Sequence, residues 1–137
     1  MGAKNNETGP QIAIIPLGSL AQSANSVIPG LYFRKHSRIK NVWLINGAAV
    51  SKSNSNYLAL TLQDNAVSPV AYAASATSDN AVVANTQYAL ALSTPVGDVS
   101  NNAEADVPAG TLLTAKVVGT GSAVTTNAVL MVEHYPL

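Results

Sequence analysis

Two histidines and seven carboxylates carry most of the acid–base chemistry open to this 137-residue chain near neutral pH. The absence of cysteine removes a thiol nucleophile, thiolate zinc sites and any disulfide. A hydrolytic triad needs a nucleophile, a base and an orienting acid, and the chain has no Gly-x-Ser-x-Gly elbow to present a serine. His134 alternates with Val132 in an apolar run and reads as a strand side chain at a surface or subunit boundary. His36 lies among basic residues, a poor setting for a general base. Asp98, Glu104 and Asp106, with Asn101 and Asn102, could offer oxygens to calcium. Their spacing departs from the calcium-loop pattern, and they read as a solvated loop. Gly119-Thr120-Gly121 joins two strands and lacks the strand-to-helix context of a phosphate cradle. No cofactor and no metal is expected, and no enzymatic activity.

The charge pattern is more telling. Arg34, Lys35, Arg38 and Lys40 are four of the seven basic residues, while six of the seven acids lie beyond residue 60. The net charge is zero, so nothing draws the whole molecule to nucleic acid or an anionic membrane. Tyr32 and Phe33 precede the cluster, but one aromatic pair is a thin basis for base stacking. The cluster reads as a solvated hairpin tip, or as a contact patch for an acidic partner or a sister subunit. Neither nucleic acid nor membrane is expected as a partner. The N-terminus has no apolar signal region, and no stretch reaches the ~20 apolar residues of a membrane helix.

The elements that must position these residues are strands. Tyr57–Gln63 alternates, with Leu58, Leu60 and Leu62 on one face. Gln87–Ser93 alternates again, with Tyr88, Leu90 and Leu92 opposite Ala89 and Ala91. Leu31–Phe33 and Ile39–Asn46 are strands, the second with Val42, Trp43, Leu44 and Ile45 in a row, which predicts burial on both faces and Trp43 in the core. Val67–Ala76 is an edge strand around Pro69. Pro29-Gly30 is a turn signal closing a polar segment, and Thr94–Pro108 a long loop. Thr111–Val118 and Ala128–Tyr135 form a closing hairpin. No window has a helical period, and strands separated by turn signals mean a sandwich or barrel.

Charged residues are 10% of the chain, well below the ~25% usual for soluble domains, and that suits a surface packed against neighbours. The fold expected is all-β: a single antiparallel β-sandwich, jelly-roll-like, over residues 18–137, with an extended N-terminal arm over 1–17.

Val107-Pro108-Ala109-Gly110-Thr111, the Gly-Thr-Gly loop and the terminal Val132-Glu133-His134-Tyr135-Pro136 strand resemble the C-terminal end of small β-sandwich decoration (cement) proteins of tailed bacteriophages. The Ile39–Ile45 and Leu58–Leu60 strands fit the same order. The resemblance implies a structural virion protein made in the bacterial cytoplasm. Such a protein forms a trimer on the capsid exterior and stabilises the head by bridging major capsid protein subunits. It carries over no catalytic or binding residue. The partner contacts expected here are Ile12, Ile14 and Ile15 of the arm and Arg34, Lys35, Arg38 and Lys40 of the basic patch. The alternative is a carbohydrate-binding β-sandwich module or fibre-tip domain, which would present exposed aromatics to a sugar.

Overall fold

Side-chain alternation is the rule that builds the molecule. The computed structural model describes residues 10–92, 95–96 (backbone only) and 104–137. Ten strands are found among them: β1 (Gln11–Gly18), β2 (Asn25–Phe33), β3 (Ser37–Ile45), β4 (Tyr57–Asp64), β5 (Ala71–Ala76), β6 (Tyr88–Leu92), β7 (Pro95–Val96), β8 (Glu104–Val107), β9 (Thr111–Thr120) and β10 (Ala128–Pro136). No helix occurs among the described residues.

The strands run β1-β10-β3-β6 in one sheet and β2-β9-β4-β5 in the other, all antiparallel, with β5 pairing β6 to join the two at one side. β8 takes the N-terminal half of β3, beside β6 on its C-terminal half, and β7 pairs β8. The path is a ribbon of nested pairs, β1 with β10, β2 with β9, β3 with β6 and β8, and β4 with β5. This is the jelly roll, whose two sheets close over a common core. The all-β sandwich expectation holds.

The inward positions form that core. Leu58, Leu60 and Leu62 of β4, with Leu113 and Val117 of neighbouring β9, share one core with Val42 and Leu44 of β3 and Leu130 and Val132 of β10, all under 3% exposed. Each such side chain contributes on the order of 1.5–3 kcal/mol by leaving water. Aromatics are few, and Phe33, Tyr72 and Tyr88 are the buried ones among the described residues.

Several expectations are corrected. Residues 11–17, read as part of the arm, are β1, an edge strand of the sheet with Ile15 and Leu17 in the core. Residues 1–9 lie outside the described residues. Pro29-Gly30 is not a turn but a bulge within β2. A proline with no N–H is tolerated on this edge strand. A Cβ at Gly30 would come within 2.5 Å of Ile15 Cδ1, so the missing side chain is what lets β1 and β2 close. β9 and β10 do not pair. Gly121–Asn127 carries the chain from one sheet to the other, and each strand finds partners there. The long loop expected at 94–108 contains β7 and β8. Trp43 is not core: β3 alternates, and Trp43 lies half-exposed on the outside between buried Val42 and Leu44.

The connections at one end of the roll are tied by side-chain amides. Buried Asn46 donates Nδ2–H to Ala48 O and accepts from Thr126 N–H on Oδ1, both at 2.7 Å. Asn56 Oδ1 accepts from Ser122 N–H and from its hydroxyl.

Candidate functional site

The outer faces of the two sheets differ in chemistry. On the β2-β9-β4-β5 side the cross-strand rows run Val27–Lys116–Thr61–Ala74 and Pro29–Thr114–Gln63–Ala71, with polar side chains interleaved in both rows. On the β1-β10-β3-β6 side one row runs Ile14–Met131–Trp43–Ala89 and the next Pro16–Val129–Ile45. Ile12 and Ile14 stand 54% and 58% exposed. Polar groups enter only at the next row, where Asn41 donates to Glu133 at 2.8 Å beside Ile12. A sheet face that is apolar over adjacent rows on three and four strands is a surface of the kind that marks an interaction site. The alternation that puts Val42 and Leu44 in the core is what turns Trp43 and Ile45 outward onto it.

The second feature lies at the end of the roll where β2 turns into β3. Arg34 and Lys35 are exposed on that turn. They line an open cleft of about 500 Å³ together with Gln11, Tyr32, Phe33 and His134. Phe33 and His134 meet edge to face, ring centroids 5.0 Å apart at 89°. Burial lowers the pKa of His134 from its ordinary value and so favours the neutral ring. Beside the cleft, β3 and β8 are registered so that Arg38 faces Asp106. Asp106 Oδ1 lies 2.5 Å from His36 Nε2 and 3.8 Å from Arg38 Nε. Tyr135 donates to Glu104, which is 8% exposed, and that hydrogen bond holds the phenol above its usual pKa, with burial adding to it.

The expected contact residues therefore separate. Ile12 and Ile14 are on the apolar face, and Arg34 and Lys35 are at the cleft. Ile15 is 1% exposed and belongs to the core, so its side chain is not on offer to a partner. Arg38 faces Asp106 with its Nε 3.8 Å from Oδ1 and without a hydrogen-bond partner, and Lys40 is half-buried at a bulge where the β10 register steps from Glu133–Asn41 to His134–Ile39. Of the loop residues weighed for calcium, Asp98, Asn101 and Asn102 lie outside the described residues. Glu104 and Asp106 are already engaged as above. No cluster of three metal-ligating side chains occurs among the described residues. The His36–Asp106 pair was not legible in the sequence, because 70 positions separate the two and only the β3–β8 register joins them.

No family model matches the chain, and no curated protein matches it. Among solved structures it is similar to a chain in the structure of infectious bursal disease virus, Gx strain, at 15% identity and a TM-score of 0.34. The match covers 93% of this chain, which spans 38% of that one. At that TM-score the likeness carries no argument about what the chain does.

Proposed function

We propose that the chain is a structural virion protein. In this reading it is a decoration (cement) protein that assembles as a trimer on the outside of a tailed-phage head and bridges major capsid protein subunits. The observation that supports it best is the apolar outer face of the β1-β10-β3-β6 sheet, with Ile12 and Ile14 in the open. A face of that kind gains free energy when a neighbour covers it. The low charge of the chain keeps the desolvation cost of such contacts small. A clamp on a shell touches several subunits at once, so individually weak contacts multiply through effective concentration. Ile12, Ile14, Arg34 and Lys35 are the contacts assigned to it, with Arg38 and Lys40 flanking them.

Sedimentation velocity of the purified chain tests the assembly. A trimer is expected, and the paired change Ile12→Lys, Ile14→Lys should dissociate it or strip the chain from heads. A stable monomer with no affinity for heads refutes the reading. The arm is tested by removing residues 1–9, which should leave the fold intact and lower head occupancy. Removing 1–17 is no test, because it takes Ile15 and Leu17 from the core.

The carbohydrate reading gains from one observation: Tyr32 is 62% exposed, as a sugar-stacking platform would be. A reproducible glycan-array hit lost in Tyr32→Ser would favour it.

A further inference from the structure

The two ends of the strand path, β1 and β2, each pair on one side only among the described residues. They meet along a seam. The seam is pinched shut where the Ile15 side chain sits over Gly30. Since β1 and β2 run in opposite directions along it, the seam opens toward Gln11 and Tyr32–Lys35, and the 500 Å³ cleft is its mouth. The floor is the Phe33–His134 ring pair, where burial disfavours the charged imidazole. The rim carries Arg34 and Lys35, and no carboxylate among the described residues lines it. Asp106 does not line the cleft and lies against His36, Oδ1 to Nε2 2.5 Å.

We infer that this cleft binds an extended acidic peptide, an apolar side chain seated on Phe33 and His134 and flanking carboxylates on Arg34 and Lys35. An extended chain suits the site because free strand edges offer it backbone hydrogen bonds, while its alternating side chains reach the cleft and the rim by turns. Guanidinium and ammonium groups side by side give each of two carboxylates its own charge-assisted hydrogen bonds. The volume falls in the range of pockets that hold one small ligand or one peptide side chain with its neighbours. The inference rests on the shell reading only for the source of the peptide, a segment of the shell partner. The recognition itself rests on the cleft.

The test is calorimetric titration of the full chain with an acetylated peptide, Asp-Asp-Phe-Glu-Leu-Asp. The control is the same peptide with lysine at every acidic position. Binding with one peptide per chain is expected, at least tenfold weaker in Arg34→Ser, Lys35→Ser and unchanged in Lys116→Ser on the far sheet. It should weaken with added salt, and the His134 ring resonances should shift on binding. No heat at millimolar peptide, equal binding of the lysine peptide, or binding indifferent to the Arg34 and Lys35 changes overturns the inference. Displacement of the peptide by glucuronate or inorganic phosphate at similar concentration overturns the peptide assignment in favour of a small anion. A trimer that ignores the peptide leaves the shell reading standing, and a head-indifferent monomer that binds the peptide removes the shell reading alone.

Discussion

Replacing Asn46 by alanine should cost the fold about 3 kcal/mol, although it deletes only one small polar group. The amide is fully buried. It donates to Ala48 O and accepts from Thr126 N–H, and so ties the connection after β3 to the one before β10. Alanine leaves both backbone groups unmet, and each costs about 1–3 kcal/mol. Ala48 and Thr126 are both half-exposed, so water relieves part of each share and the total sits toward the lower half of the range. At roughly 2.1 cal/mol/K per residue the unfolding entropy of such a chain is about 0.3 kcal/mol/K, so Tm should fall by about 10 °C. The measurement is thermal unfolding at fixed protein concentration, since self-association would move Tm on its own. Asn41→Ala, which loses an exposed bond to Glu133, is the control and should shift Tm by no more than about 2 °C. Asn46→Asp keeps an acceptor for Thr126 but turns a second acceptor toward Ala48 O, and it should be no better than alanine. A Tm for Asn46→Ala within about 3 °C of the parent would refute the reasoning.

Three other outcomes follow from the structure. Because burial lowers the folded-state pKa of His134, the unfolded chain takes up a proton there more readily, and stability contributed by the neutral ring is present above its ordinary pKa near 6.5 and lost as pH falls below it. Urea unfolding across that range checks the slope, which His134→Phe should flatten. Gly121→Ala should destabilise by a few kcal/mol, roughly 2–4, because φ is +65° and the new Cβ would clash with Asn56 Oδ1 and lie 2.5 Å from Ser55 O; a neutral change in denaturant midpoint would count against the tight turn. Gly30→Ala should loosen the β1–β2 seam, read as faster amide exchange in β1 than in β4.

Much of the fold was written in two-residue alternation. β4 and β6 could be assigned by face because Leu58, Leu60 and Leu62, and Tyr88 and Leu90, alternate with small or polar neighbours. β3 could not, because Val42-Trp43-Leu44-Ile45 is apolar on both sides, and an apolar outer face is indistinguishable from a second buried one until the sheet is known. The ambiguity at Trp43 and the candidate interaction surface are thus the same fact. Pro29-Gly30 misleads because turn residues also serve at bulges of edge strands. The pairing of β9 with β2 and β4, and of β10 with β1 and β3, depends on long-range register that local sequence does not encode. Ile12, Ile14, Arg34 and Lys35 were legible as surface candidates, whereas the cleft that joins Gln11 and His134 to the basic turn required β1 and β10 to meet.

That last pairing sets the timetable of folding. The ladder Gln11–His134, Ile12–Glu133 joins segments about as distant as the chain permits. On a ribosome adding roughly 5–20 residues per second, the first strand waits many seconds for its partner to emerge. Throughout that wait Ile12, Ile14 and Ile15 have no β10 partner to cover them. Pro16, unable to donate to a ladder, then acts as a guard against premature zippering with a sister chain. Refolding from denaturant should accordingly be slow, and aggregation during it should rise steeply with concentration.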